Sequence, residues 1–254
     1  MPEEQFPSPE WEHYTLYSSI KETLQKIPEY FHSTISVSGV NATEIYTFNS
    51  VLGATIEQEI VSTLNRLRHL WEDDTRYVDY KFVRQAQTFP DVLLLNSQAR
   101  HILMGIELKS WYLLAKEGEP SFRYTVTANA CNMQDLLVIV PWVLSNVLSG
   151  TPLIYPPFIT SARYAAEKRN YWWQHERTAR SDTQIISPAD IVPYGKAREK
   201  SQDHPVSDNG GNFGRIARIG LMKDYVEGFD SQELLGISVK SWRQFLKRHV
   251  AEDD

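Results

Sequence analysis

Pro90-Asp91 and, after fifteen further residues, Glu107-Leu108-Lys109 are the residues whose types and spacing best fit chemistry. Each half borders a run of branched apolar residues, Val92-Leu93-Leu94-Leu95 and Gly105-Ile106, as strands do. Side chains alternate along a strand, so Glu107 and Lys109 share one face while Ile106 and Leu108 share the other. With a turn centred on Ala99, antiparallel pairing sets Asp91 opposite Glu107, with Cβ atoms ~4.5–5.5 Å apart. Two carboxylates that close repel unless a cation joins them. All-oxygen ligands favour Mg²⁺ or Mn²⁺ over zinc. Lys109, two residues further on the same face, is placed to hold a water or a phosphate oxygen beside such an ion. This set suits metal-assisted phosphodiester hydrolysis.

The pattern resembles the PD-(D/E)xK nuclease superfamily, which includes most type II restriction endonucleases. The resemblance implies an α/β fold, a restriction-endonuclease-like mixed β-sheet sandwiched by helices with an α-β-β-β-α-β core, and residues 50–143 can follow that order. It implies Asp91 and Glu107 as ligands of Mg²⁺ or Mn²⁺, the Leu108 carbonyl as a further ligand, and Lys109 as the catalytic lysine that orients the attacking water. Its substrate would be double-stranded DNA. Members often add a glutamate from the preceding helix, and Glu57 and Glu59 are the candidates here. At 100° per residue, Glu57 falls on the flank of the apolar stripe and Glu59 faces outward with Arg66, so Glu57 is the expected contributor. Palindromic DNA sites are matched by two-fold proteins, which makes a homodimer the expected assembly. Two alternatives remain open. One is a repair or recombination nuclease, the other a nuclease-like fold used only for DNA binding or another interaction. The intact Asp91, Glu107 and Lys109 argue for catalysis.

Stepping outward, the elements that must position these residues are legible as periodicities. Residues 10–31 read as a helix, with Trp11, Tyr14, Leu16, Tyr17, Ile20, Leu24 and Ile27 apolar before Pro28. Residues 34–48 alternate loosely and suggest a hairpin. Residues 54–71 form an amphipathic helix on Ile56, Ile60, Val61, Leu64, Leu67 and Trp71. Strands are expected at 76–84, 90–96 and 102–109, and Leu136 to Val143 reads as a buried strand. A helix is expected at 161–180, a long loop at 195–212, and two short helices near the C-terminus. The segment 233–246 has the outline of a helix-turn-helix, with Gly236 turning and Ser238 capping. The chain is expected to be one nuclease domain over 1–254, with its core at about 50–180 and a helical extension at about 212–250.

Composition narrows the class. The chain has 254 residues, 42% of them hydrophobic and 23% charged, which fits a globular protein and excludes collagen, coiled coil and disorder. A single cysteine, Cys131, excludes a disulfide framework and thiolate zinc sites. Without an apolar run of membrane-spanning length or a basic-then-apolar leader, a cytoplasmic protein is expected, in which the Asn41-Ala42-Thr43 sequon would be inert. The net charge of −6 is uneven: residues 1–110 carry 9 basic and 15 acidic side chains, while 161–181 and 196–249 carry a basic excess. Phosphate contacts are therefore expected in the second half, with Arg163, Lys168, Arg169 and Arg177 as candidates. Trp172 and Trp173, each seven residues after an alanine, read as packing. Gln134 and Asp135 read as loop polar residues. Gly210-Gly211-Asn212-Phe213-Gly214 lacks the Lys-Ser/Thr of a phosphate loop. No HxxxH pair or nucleophile elbow is present.

Overall fold

The computed structural model describes residues 1–41, 44–72, 74–85, 88–178, 182–195, 201–208 and 211–252. Ala42 and Thr43 of the sequon and Gly210 of the glycine-rich segment lie outside the described residues.

The chain is mixed α/β. Its centre is a sheet of β1 (Tyr80–Arg84), β2 (Val92–Asn96), β3 (Ile102–Tyr112), β4 (Leu136–Leu144) and β5 (Pro152–Ile154), in that spatial order, with β6 (Phe158–Ser161) also pairing with β4. The first three strands form an antiparallel meander. β4 then lies parallel to β3 over seven pairs, from Ile106↔Leu136 to Tyr112↔Trp142. All nine residues of β4 are buried, as expected of a strand covered on both faces. Val92 faces Ile106 and Leu93 faces Gly105, the register that a turn centred on Ala99 requires. A bulge shifts it between Leu94 and Leu95.

Helices cover both sheet faces. The side chain of Ser110 lies toward α2 (Ile45–Arg66), at Gly53. The neighbouring residue, Trp111, packs its ring on Tyr225 and Phe229 of α5 (Lys223–Asp230). Consecutive strand residues point to opposite faces, so α2 and α5 sit on different sides. α1 (Tyr14–Tyr30) packs on α2 and on the short α3 (Arg68–Trp71). α4 (Ala162–Tyr171) packs on β4 and β6 and continues as a π-helical segment, Trp172–Glu176. One cluster of buried apolar residues joins these layers, from Leu16 to Leu246. No described helix is long and apolar enough to cross a membrane.

Three expectations are corrected. Residues 45–48 belong to α2 rather than to a hairpin, and Val37 makes an isolated bridge to Gly150. The spacing Phe48, Leu52, Ile56, Ile60 repeats every fourth residue, a helical period that outweighs the loose alternation. The crossover from β3 to β4 holds a single 3-10 turn, Ala128–Ala130, where the resemblance implies an α-helix. The C-terminal segment is a tight hairpin of β9 (Glu233–Leu234) and β10 (Ile237–Ser238), followed by α6 (Val239–Glu252), not a helix-turn-helix. Gly236 does take a left-handed conformation and Ser238 does accept the Ser241 N–H at 3.1 Å. Of the expected loop at 195–212, the described part includes β8 (His204–Pro205), which pairs with β7 (Ile185–Ile186).

Gly105 links this framework to the chemistry. A Cβ there would overlap the Pro90 ring and lie 3.2 Å from Asp135 Oδ1. The Gly105 N–H donates to that same oxygen at 2.7 Å. Gly105→Ala should therefore destabilise the protein by about 1–3 kcal/mol through overpacking, read as a Tm lowered by about 2–4 °C per kcal/mol. An unchanged melting curve would show that Pro90 is not held against β3.

Candidate active site

Because β2 begins at Val92 opposite Ile106, β3 runs on to Tyr112 with no strand among the described residues on that side. Alternate N–H groups of a strand point to the same edge. Leu108 and Ser110 thus present donors to an edge with no ladder partner, and side chains take them. Asp91 Oδ2 accepts from the Leu108 N–H at 3.2 Å, and Glu57 Oε1 accepts from the Ser110 N–H at 3.1 Å. The Asp91 N–H in turn donates to Glu107 Oε2 at 3.3 Å. Strand geometry directs the Leu108 carbonyl to the same edge as its N–H.

Lys109 completes the group. Its Nζ lies 2.7 Å from Asp91 Oδ2 and 2.9 Å from Glu107 Oε1. Burial penalises the ammonium, but Glu107 and Asp91 outweigh that penalty and hold its pKa above the ordinary lysine value. Lys109 is therefore a cation with donors only, suited to orient a water or to meet a negative oxygen rather than to accept a proton. Burial raises the Glu107 carboxyl above the usual carboxylate range; Lys109 opposes this and Asp91 adds to it. Burial likewise raises Glu57, with Lys109 lowering and Asp91 raising it.

Glu57 stands beside this triangle rather than within it. It bonds to β3 at Ser110 and pairs with Arg84 at 3.4 Å. Gly53, one turn earlier on α2, allows the approach, since a Cβ there would collide with Ser110 Oγ. Glu59 points elsewhere and accepts from the Thr34 N–H and hydroxyl.

Asp91 and Glu107 line a cleft together with Thr88, Arg123, Thr125 and Gln202. Its free space, about 40 Å³, accommodates an ion or a few waters at ~10–15 Å³ each. Asp91 Oδ2 and Glu107 Oε1 both lie within 3 Å of the Lys109 ammonium, so the pair presents two oxygen donors that fit a hard cation, which would take the place of the ammonium between them. Among the described residues, no group of three or more His, Cys, Asp or Glu side chains forms a metal cage. An ion here would complete its shell with waters and substrate oxygens, the habit of Mg²⁺ rather than of zinc.

The expected phosphate contacts are corrected in part. Arg169 is buried: Nη1 donates to the carbonyls of Tyr124 and Val126, both at 2.8 Å, and Nη2 pairs with the buried Asp203. It braces the cleft wall from behind. Lys168 is also buried, with Nζ 3.1 Å from each Glu176 carboxylate oxygen. Arg177 lies 3.6 Å over the Trp173 ring and bonds to the carbonyls of Trp173 and Asp182. Arg163 is half-exposed and paired with Glu167 at 3.0 Å. Desolvation explains the failure for Arg169 and Lys168: a buried cation needs its partners, and those partners occupy the donors that would meet DNA. Trp173 is buried as packing. Gln134 bonds to the Leu103 carbonyl at 3.0 Å, and Asp135 accepts from the N–H groups of Gly105 and Asn132 and from the Tyr194 hydroxyl.

The convergence predicts metal binding that depends on both carboxylates. Titration calorimetry with Mn²⁺ should give a binding isotherm for the native chain and none for Asp91→Asn/Glu107→Gln, which keeps shape and removes charge. Identical isotherms would remove these two residues as ligands. Searches against protein-family models and against curated proteins find no match to this chain.

Proposed function

We propose that this chain is a Mg²⁺- or Mn²⁺-dependent endodeoxyribonuclease of the PD-(D/E)xK kind, restriction-like and acting as a homodimer on double-stranded DNA in the cytoplasm. The observation that carries the reading is the meeting of Asp91, Glu107 and Lys109 within 3 Å on one strand edge, beside a cleft. The order of a helix, three antiparallel strands and a parallel fourth supports it. The 3-10 turn in the crossover departs from the family's core.

In this reading Asp91, Glu107 and the Leu108 carbonyl hold the ion, which when bound supplies Lewis-acid stabilisation and a more acidic water. Lys109, charged and kept beside the carboxylates by its place on β3, directs the attacking water through one N–H and offers another to the non-bridging phosphate oxygen as charge develops there. Glu57 holds β3 to α2 and adds negative potential beside the ion. Hydrolysis joins the water oxygen to phosphorus and breaks the bond to the sugar oxygen; the attacking water gives one proton to solvent, and the sugar oxygen takes one from solvent and leaves as the alcohol.

Plasmid DNA incubated with the protein and Mg²⁺ should be cut, and EDTA should abolish cutting. Discrete fragments indicate a restriction enzyme, whereas a smear indicates a repair or recombination nuclease. Intact plasmid in Mg²⁺ and in Mn²⁺ would contradict the enzyme reading and favour a fold used for binding.

A further inference from the structure

The cleft that Asp91 and Glu107 line also holds a positive charge. Arg123 lines the cleft with Asp91 and Glu107, and its side chain is 48% exposed. Its backbone bridges antiparallel to that of Arg215, so the two arginines are held side by side. Both guanidinium groups then reach one oxygen, the Gly211 carbonyl, at 2.7 Å from Arg123 Nη2 and 3.2 Å from Arg215 Nε. Asp208 approaches Arg123 only to 3.9 Å. Its carboxylate also accepts from the N–H groups of Asn212 and Phe213.

Two like charges gathered on one neutral oxygen repel, and the single carboxylate beyond hydrogen-bond range offsets this weakly. Each guanidinium carries five donors, far more than one carbonyl satisfies. A tetrahedral anion with several acceptor oxygens matches such a pair, because arginine binds phosphate through two parallel N–H bonds. Burial of Arg169 against the Tyr124 and Val126 carbonyls fixes the crossover segment from which Arg123 projects.

We infer that Arg123 and Arg215 together clamp one backbone phosphate of the DNA, beside the cleft that Arg123 shares with Asp91 and Glu107. The inference rests on the nuclease reading and adds to it the residues that set the duplex against the carboxylates. The clamp lies on the crossover after β3 and on the segment before α5. Lys168 and Arg169, which the basic run would place among the contacts, are occupied in holding the fold.

The test is fluorescence anisotropy of a labelled duplex in Ca²⁺ across a salt series, for the native chain, Arg123→Gln, Arg215→Gln and the double variant, with melting curves for each. Plasmid cleavage by the native chain in Mg²⁺ is measured alongside. Either single variant should weaken binding by about tenfold. Because one phosphate is shared, the slope of log K against log salt should fall by about 0.9 in the double variant, not by twice that. Arg123→Lys, which keeps the charge, should retain the native slope and guards against misfolding of the glutamine forms. Folded glutamine variants with native affinity and slope, alongside a native chain that cuts DNA, would overturn the clamp alone. A native chain that neither binds nor cuts DNA would overturn the nuclease reading and the clamp with it.

Discussion

Beyond Ile106, one edge of β3 meets no strand among the described residues, and the donors on that edge must be satisfied. A buried N–H left without a partner costs about 1–3 kcal/mol. Here carboxylates fill the gap, Asp91 at Leu108 and Glu57 at Ser110. That choice brings negative charge to a half-dry edge, where Glu107 already stands, and forces a cation into the group. Lys109 is that cation, two residues along the same face. The arrangement thus follows from a mismatch in strand length, because a β2 that started earlier would have covered the edge and left no place for the acids.

The surrounding packing keeps this edge in place. Pro90 rests on Gly105, whose N–H is fixed by Asp135, and Asp135 is itself held by Asn132 and Tyr194. On the other side, Gly53 lets α2 lie close enough to β3 for Glu57 to reach Ser110. β4, fully buried and parallel to β3, supplies the rigid floor. Polar groups in these contacts are paired with one another, so Glu57 and Glu107 are presented by α2 and β3, and Asp91 is held one residue before β2 by Glu107 and Lys109. A constellation held this way loses little entropy when a ligand arrives.

Most of the strands, their register near the acids and the side of α2 on which Glu57 lies were legible because they depend on short-range period and spacing, whereas Thr75–Tyr77, at the start of the first expected strand, form a 3-10 turn. Alternation put Glu107 and Lys109 on one face, and the turn at Ala99 set Val92 against Ile106. What was not legible depends on partners distant in the chain. Arg169 looked like a surface base in a basic run. Its real partners, Tyr124, Val126 and Asp203, lie 45, 43 and 34 residues away and leave no local pattern. The same holds for Gly105 with Asp135, and for Arg123 with Arg215. The hairpin expected at 34–48 failed differently, since a weak alternation concealed a stronger fourfold repeat.

Lys109 is where an edge-capping group and a catalytic centre differ. If Asp91 and Glu107 serve only to finish the edge, the lysine merely neutralises them. Removing it then strips a buried carboxylate of its partner, at about 3–5 kcal/mol. If the group is catalytic, the ammonium matters most in the transition state, where a positioned charge is worth about 10²-fold or more in rate. The direct measurement is single-turnover cleavage of a DNA duplex in Mg²⁺ by Lys109→Ala, paired with duplex affinity in Ca²⁺ on the same folded preparation. The account predicts cleavage slowed by at least about 10²-fold with affinity nearly unchanged. A folded Lys109→Ala protein that cuts at the native rate would contradict it.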